Sequence, residues 1–293
     1  MSLSTENLRA QLARGATELA GNGLPEAMGL AVLHGNGNVI AIVELDSATD
    51  LDLATLRTTT IRLCDSVTAV RIDGVLFFYP RHERGPRMVF YDRDGTWEAM
   101  CGNGLRCLTR YAADRGLIGV DADVVTDDGL KAVRARPGLV RVTLGRPREV
   151  CQVDQRRWFI YTGVPHLVVF LPDLAELERT DVPAAGALLR YDAELCQRLG
   201  HPEGVHVDFV VAGADRLHVR TYEVGVEDET LCCGTGVAAA AYLGWHSGRS
   251  ALPVDAHTRG GVVEVDLRDG ALQLSGEVGY LADAWLPAGA GER

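Results

Sequence analysis

Leu8, Leu12 and Leu19 recur at helical spacing among polar neighbours in Ser4–Leu19, and they predict a short amphipathic helix that ends at the turn-forming stretch GNGLPEAMG. The texture then changes. GLAVLHGNGNVIAIVELD, SVTAVRIDGVLFFYPR and PRMVFYDRDGTWEAM are short apolar runs bounded by turn residues, and they read as strands. RPREVCQV, WFIYTGV, HLVVF, GVHVDFVV, RLHVRTYEV, GVVEVDL and ALQLSGEV continue the same texture further along the chain. Two segments break it. LRCLTRYAADRG follows Gly104 and VAAAAYLGWHSG follows Gly236, and both predict helices closed by a C-capping glycine, Gly116 and Gly248.

Each helix follows the same tetrapeptide, Cys-Gly-x-Gly, at Cys101 and at Cys233. The spacing from Cys101 to Gly116 equals that from Cys233 to Gly248. One coincidence would be a buried cysteine at a tight turn, the ordinary fate of a free thiol. A repeated cysteine, glycine pair and helix length points instead to an α+β chain of two similar halves, each strand-rich with a helix that begins at a cysteine. The expected organisation is an N-terminal extension over residues 1–24, a first half over 25–146 and a second over 147–278. Residues 279–293 return as a last strand to the first half.

Composition narrows the function. The chain has 293 residues, 47% hydrophobic and 24% charged, which suits a folded globular protein. Its 29 Lys and Arg against 40 Asp and Glu give a net charge of −11, which disfavours nucleic acid and anionic membrane surfaces as partners. No segment has the apolar length of a membrane span or the pattern of a signal peptide, so a cytoplasmic location is expected. Seven cysteines are too few and too scattered for a disulfide framework, and none of their spacings is that of a zinc site. Reduced thiols are expected. Cys233 is the functional sulfur of its pair by the repeat frame, while Cys232, Cys107, Cys64, Cys151 and Cys196 are expected to be packing residues.

A helix entrance built on glycines presents unpaired amides and the positive end of the macrodipole, so it suits a carboxylate. A cysteine there is expected to have its thiolate favoured. Two such entrances facing each other would hold one amino-acid carboxylate between two sulfurs. Inverting an α-carbon needs a base on one face and an acid on the other, and two cysteines supply both. The amides would stabilise charge as it moves onto the carboxylate. A non-enzymatic alternative, an amino-acid-binding or thiol redox protein, lacks the Cys-x-x-Cys pair that redox chemistry favours.

The chain resembles the diaminopimelate epimerase family on MCGNGLRC (Met100–Cys107) and ETLCCGTGVAA (Glu229–Ala239), and also on HGNGN, DGTWEAM, GVPH and RTYEVGVEDET. The resemblance implies two pseudo-symmetric domains, each a barrel-like sheet around a central helix, and a cofactor-independent amino-acid racemase or epimerase without metal, commonly a homodimer. It makes Cys101 and Cys233 the acid/base pair and gives the α-carboxylate to the backbone of Gly102, Asn103, Gly234 and Thr235. It sets His166 and Glu223 beside the thiols and Asn38 along the pocket. The chain departs from the family at Asp92, Val164 and His206, where asparagines are expected, and at Val224, where the family has the Arg that pairs with a distal carboxylate. Asp92 and His206 imply a small amino-acid substrate whose far end donates hydrogen bonds: a ureido, amide, guanidine or imidazole group, with ureido the best match.

Overall fold

A computed structural model describes residues 5–21, 27–45 and 51–284. Its contacts divide the chain into two compact units, one running to Val140 and resuming at Val278, the other spanning Arg141–Glu277. The expected boundary at residue 24 and the tail beyond Ala284 lie outside the described residues.

The first unit carries α1 (Thr5–Gly21), β1 (Ala27–Gly35), β2 (Asn38–Leu45), α2 (Leu53–Ser66), β3 (Gly74–Tyr79), β4 (Arg87–Asp92), β5 (Trp97–Glu98), α3 (Gly102–Asp114), β6 (Asp121–Thr126) and β7 (Gly129–Arg136). β8 (Leu139–Gly145) crosses the boundary, and the second unit carries β9 (Arg148–Gln152), β10 (Arg157–Tyr161), β11 (Pro165–Phe170), α4 (Leu174–Arg179), α5 (Val182–Arg190), α6 (Ala193–Leu199), β12 (His206–Ala212), β13 (Arg216–Glu223), β14 (Asp228–Thr230), α7 (Gly234–His246), β15 (Val254–Thr258), β16 (Gly261–Arg268) and β17 (Ala271–Gly276). β18 (Val278–Ala284) then returns to the first unit and pairs antiparallel with β1.

Strand pairing repeats between the units. In the first, β18–β1 and β1–β2 are antiparallel, β2–β3 parallel, β3–β4 antiparallel, β4–β6 parallel and β6–β7 antiparallel. In the second, β9–β10 and β10–β11 are antiparallel, β11–β12 parallel, β12–β13 antiparallel, β13–β15 parallel and β15–β16 antiparallel. The short strands β5 and β14 occupy matching places before α3 and α7. This is one supersecondary plan used twice.

The central strands are covered on both faces, which explains why β3 has no polar face, whereas β7 and β9 are largely exposed. On β3, Val75, Phe77 and Tyr79 join Leu8, Leu12, Leu56 and Leu63 of α1 and α2 in one core, while Phe78 points the other way onto Tyr111 of α3. Leu8 and Leu12 of α1 are thus part of that unit's core. In the second unit Val207, Phe209 and Val211 of β12 pack outward with residues of α4, α5 and α6. The sheet wraps a helix in each unit: α3 packs on β1, β2, β3, β7 and β18, and α7 on β10–β13 and β15–β17.

α3 and α7 both have 13 residues and close alike. Gly116 and Gly248 adopt left-handed φ of 67° and 74°. In each, the amide one residue further on, Leu117 or Arg249, reaches back to a last-turn carbonyl, Ala112 or Gly244, at 2.8 Å. Four helices were not expected from the sequence. α2 carries four threonines, which weaken its helical signal, and α4, α5 and α6 are only 6, 9 and 7 residues long. Asp52, Asp173, Asp181 and Asp192 cap their first turns.

Candidate active site

In the first unit Cys101 is the N-cap of α3, with extended backbone, and its Sγ accepts the Gly104 amide at 3.2 Å. The helical ladder begins at the Leu105 amide, which bonds the Cys101 carbonyl, so the amides of Gly102 and Asn103 precede it. Cys101 is half-buried and Asn103 is buried. Asn38 sits just past the Asn36–Gly37 turn, and its side-chain amide donates to Asp73 Oδ2 at 3.3 Å. Asp92 ends β4 opposite Gly74, and its amide and carbonyl hold the tight turn to Thr96.

Arg106, inside the first cysteine motif, was not singled out from the sequence. It is fully buried, and its Nη2 donates to Asn36 Oδ1 at 2.7 Å and Asn103 Oδ1 at 2.9 Å.

In the second unit Cys233 is the N-cap of α7, and the Val237 amide bonds its carbonyl at 2.9 Å. Its sulfur lies 3.4 Å from Thr235 Oγ1. His166, on β11, is completely buried between Asp208 Oδ2 at 2.8 Å from Nδ1 and Thr235 Oγ1 at 2.9 Å from Nε2. Asp208, also fully buried, accepts Thr221 Oγ1 at 2.7 Å, and Thr162 Oγ1 donates to the Thr235 carbonyl at 2.9 Å. Thr221, Asp208, His166, Thr235 and Cys233 therefore form one continuous polar chain ending at the sulfur. The sequence did carry a signal for Asp208: it is a carboxylate at an inward position of an otherwise apolar strand.

His206 neighbours His166 across the parallel β11–β12 register and stacks on it, ring centroids 4.9 Å apart. Its Nδ1 accepts the Val224 amide at 3.3 Å. Burial, then the neighbouring His166 and Arg190, hold its pKa well below the ordinary value, so His206 is neutral. Glu223, at the end of β13, is bonded by Thr230 Oγ1 and by the Cys233 thiol. Both His206 and Glu223 keep some exposed surface, yet protein surrounds them closely enough that burial dominates and raises the Glu223 pKa. Donor atoms of His206, Glu223 and Cys233 all lie within 4.8 Å of one another. Among the described residues, that group has the geometry to hold a metal ion.

Two expectations are corrected. The Cys233 thiolate is not favoured: burial first, then the charges of Glu223 and Asp208, push its pKa well above the ordinary thiol value. Two nearby carboxylates outweigh the fractional positive charge of one helix end. Cys151 is exposed rather than packed, whereas Cys64, Cys107, Cys196 and Cys232 are buried.

Chemically, each helix entrance pairs a sulfur with leading amides. At Cys233 the resting group is a protonated thiol beside a carboxylate able to take its proton. No helix among the described residues is long and apolar enough to cross a membrane.

The sequence model of the family described as diaminopimelate epimerase matches residues 30–150 and 158–279. A curated diaminopimelate epimerase of Archaeoglobus fulgidus is 31% identical over 275 residues, covering 87% of this chain and 94% of that one. One from Methanothrix thermoacetophila is 32% identical over 252 residues, covering 80% and 86%. Among solved structures, a hydroxyproline epimerase from Agrobacterium vitis superposes with a TM-score of 0.63 at 18% identity, covering 88% of this chain and 90% of that one. A phenazine biosynthesis protein from Bacillus anthracis gives 0.65 at 13%, covering 88% and 98%, and both likenesses establish the fold alone. With the family model matched across both repeats, the chain belongs to the diaminopimelate epimerase family and is an enzyme of the amino-acid racemase and epimerase class.

Proposed function

We propose that this enzyme inverts the α-carbon of a free amino acid by a two-cysteine acid/base mechanism, and that its substrate is O-ureidoserine, as in D-cycloserine biosynthesis. In one direction the Cys101 thiolate removes the α-proton and the Cys233 thiol delivers a proton to the opposite face; in the other the roles exchange. Glu223 and the Asp208–His166–Thr235 chain keep Cys233 protonated and oriented, and Glu223 receives its proton when it must act as base. The amides of Gly102, Asn103, Gly234 and Thr235 bind the α-carboxylate and stabilise charge as it develops. Neither pyridoxal phosphate nor a metal is required, and the enzyme works as a cytoplasmic homodimer.

The observation that carries the substrate reading is Val224 in Tyr222-Glu223-Val224-Gly225, where the family has Arg. A distal carboxylate there would lack its partner, at several kcal/mol against a neutral ligand of similar length. The neutral imidazole of His206, whose Nδ1 accepts the Val224 amide, keeps its proton on Nε2 and so donates there, where the sequence suggested an acceptor. This supports a substrate whose uncharged end also accepts a hydrogen bond, as a ureido carbonyl does. A second reading, epimerisation of diaminopimelate itself, is favoured by the names of the relatives at 31–32% identity.

Incubation with O-ureido-L-serine, L-histidine, L-arginine and LL-diaminopimelate, followed by chiral chromatography, separates the readings. Turnover of O-ureidoserine at least 100-fold faster than of diaminopimelate is expected. Efficient turnover of diaminopimelate alone would establish the second reading, and preference for histidine would move the substrate to an imidazole.

A further inference from the structure

Among the described residues the other buried cations, Lys131 and Arg190, are matched with the carboxylates of Asp128 and Glu227, and the partly buried Arg220 with Glu229. Arg106 differs. It is the largest of the fully buried side chains, it forms no ion pair among the described residues, and its Nε and Nη1 have no hydrogen-bond partner there. Its two contacts are neutral amide oxygens, of Asn36 and Asn103. A buried charge without a counter-ion is strongly unfavourable, so a fold that retains one gains something from it.

The location says what. Asn103 is the second residue of α3, beside the amides that precede the helical ladder, and Arg106 lies one turn further in. Asn36 adopts a left-handed φ of 52° in the β1–β2 turn. The approach is close: a side chain at Gly35 would meet the Asn103 carbonyl at 3.3 Å and Arg106 Nη2 at 3.4 Å. One guanidinium therefore ties the HGNGN turn to the CGNG helix entrance and adds a full charge to the half-charge of the helix end.

We propose that Arg106 is a positioning residue: a buried cation that locks Asn103 and the Asn36 turn, and makes the α3 entrance selective for a carboxylate whose charge completes it. For the natural ligand this rests on the amino-acid reading above, in which that carboxylate is the substrate's. The local electrostatics do not depend on turnover.

The test uses the full-length protein and two small alkylating probes, anionic iodoacetate and neutral iodoacetamide. Rates at Cys101 and at the exposed Cys151 are resolved by peptide mass spectrometry. The iodoacetate-to-iodoacetamide rate ratio at Cys101 is expected to exceed that at Cys151 several-fold. Arg106→Met should lower the Cys101 ratio to the Cys151 value, and Arg106→Lys should keep most of it. Should Arg106→Met not fold, the wild-type comparison still decides: equal ratios at the two cysteines overturn the proposal. An unchanged Cys101 ratio in a folded Arg106→Met protein also overturns it and leaves Arg106 a packing residue. Selective alkylation without racemisation of any amino acid would sink the functional reading and leave this one standing.

Discussion

At Cys233 a helix end draws the sulfur toward thiolate while burial, Glu223 and Asp208 draw it toward thiol, and the second set prevails. Burial also governs two other thiols. Burial pushes Cys64 and Cys107 up to about 12 from an ordinary 9.0. Between those values the unfolded chain has released these protons and the folded chain has kept them, so stability falls as pH rises above 9. The expected slope approaches 1.4 kcal/mol per pH unit for each fully buried thiol. Urea midpoints between pH 8 and 10 check this, and Cys107→Ala should flatten the curve. Equal slopes in both proteins would show that Cys107 ionises freely. At this scale the two catalytic candidates were legible because each precedes a repeated glycine pair. Arg106 and Asp208 act through buried contacts between distant segments, and only folding brings those together.

α3 and α7 share a length, a cap and a terminating glycine, but their entrances tolerate substitution differently. A Cβ on Gly236 would overlap Asp208 Oδ1 and lie 3.2 Å from Thr221 Oγ1, inside the polar chain that reaches Cys233. A Cβ on Gly104 would meet the Cys101 side chain at 3.3 Å and Leu76 at 3.5 Å, which small shifts relieve. Alanine ordinarily favours a helix by about 1 kcal/mol over glycine. Gly236→Ala should nevertheless destabilise by 2 kcal/mol or more, as expected for disturbing a buried hydrogen-bonded network, and Gly104→Ala by clearly less. Chemical denaturation of the two variants provides the comparison, and a stabilised Gly236→Ala would contradict the crowding. The long strands and both motif helices were readable because apolar runs and glycine punctuation mark them. β6, β7, β8 and β15 were not, since polar and charged residues interrupt DADVVT, GLKAVRAR, LVRVTLG and VDAHT and leave no continuous apolar run of three. Helices of fewer than ten residues rise too little above their flanks to be seen.

The repeat extends across both units, which order their strand pairings alike around a cysteine-headed helix. The N-terminal helix lies outside that repeat, yet Leu8 and Leu12 are buried in the first unit's core. Leu12→Ala should lower stability by 2–5 kcal/mol, as for other fully buried leucines. A change below 0.5 kcal/mol in urea denaturation would show that α1 contributes little to that core.

The central claim, that two cysteines serve opposite faces of one α-carbon, is tested most directly in heavy water with the accepted L-amino acid, by NMR and chiral chromatography at early conversion. A two-base mechanism predicts that the D-product carries α-deuterium while recovered L-substrate remains protonated at that carbon. Cys101→Ala and Cys233→Ala should each abolish D-product, and Cys232→Ala should retain most of it. Deuterium entering recovered substrate as fast as product, or undiminished racemisation by either single variant, would contradict the account.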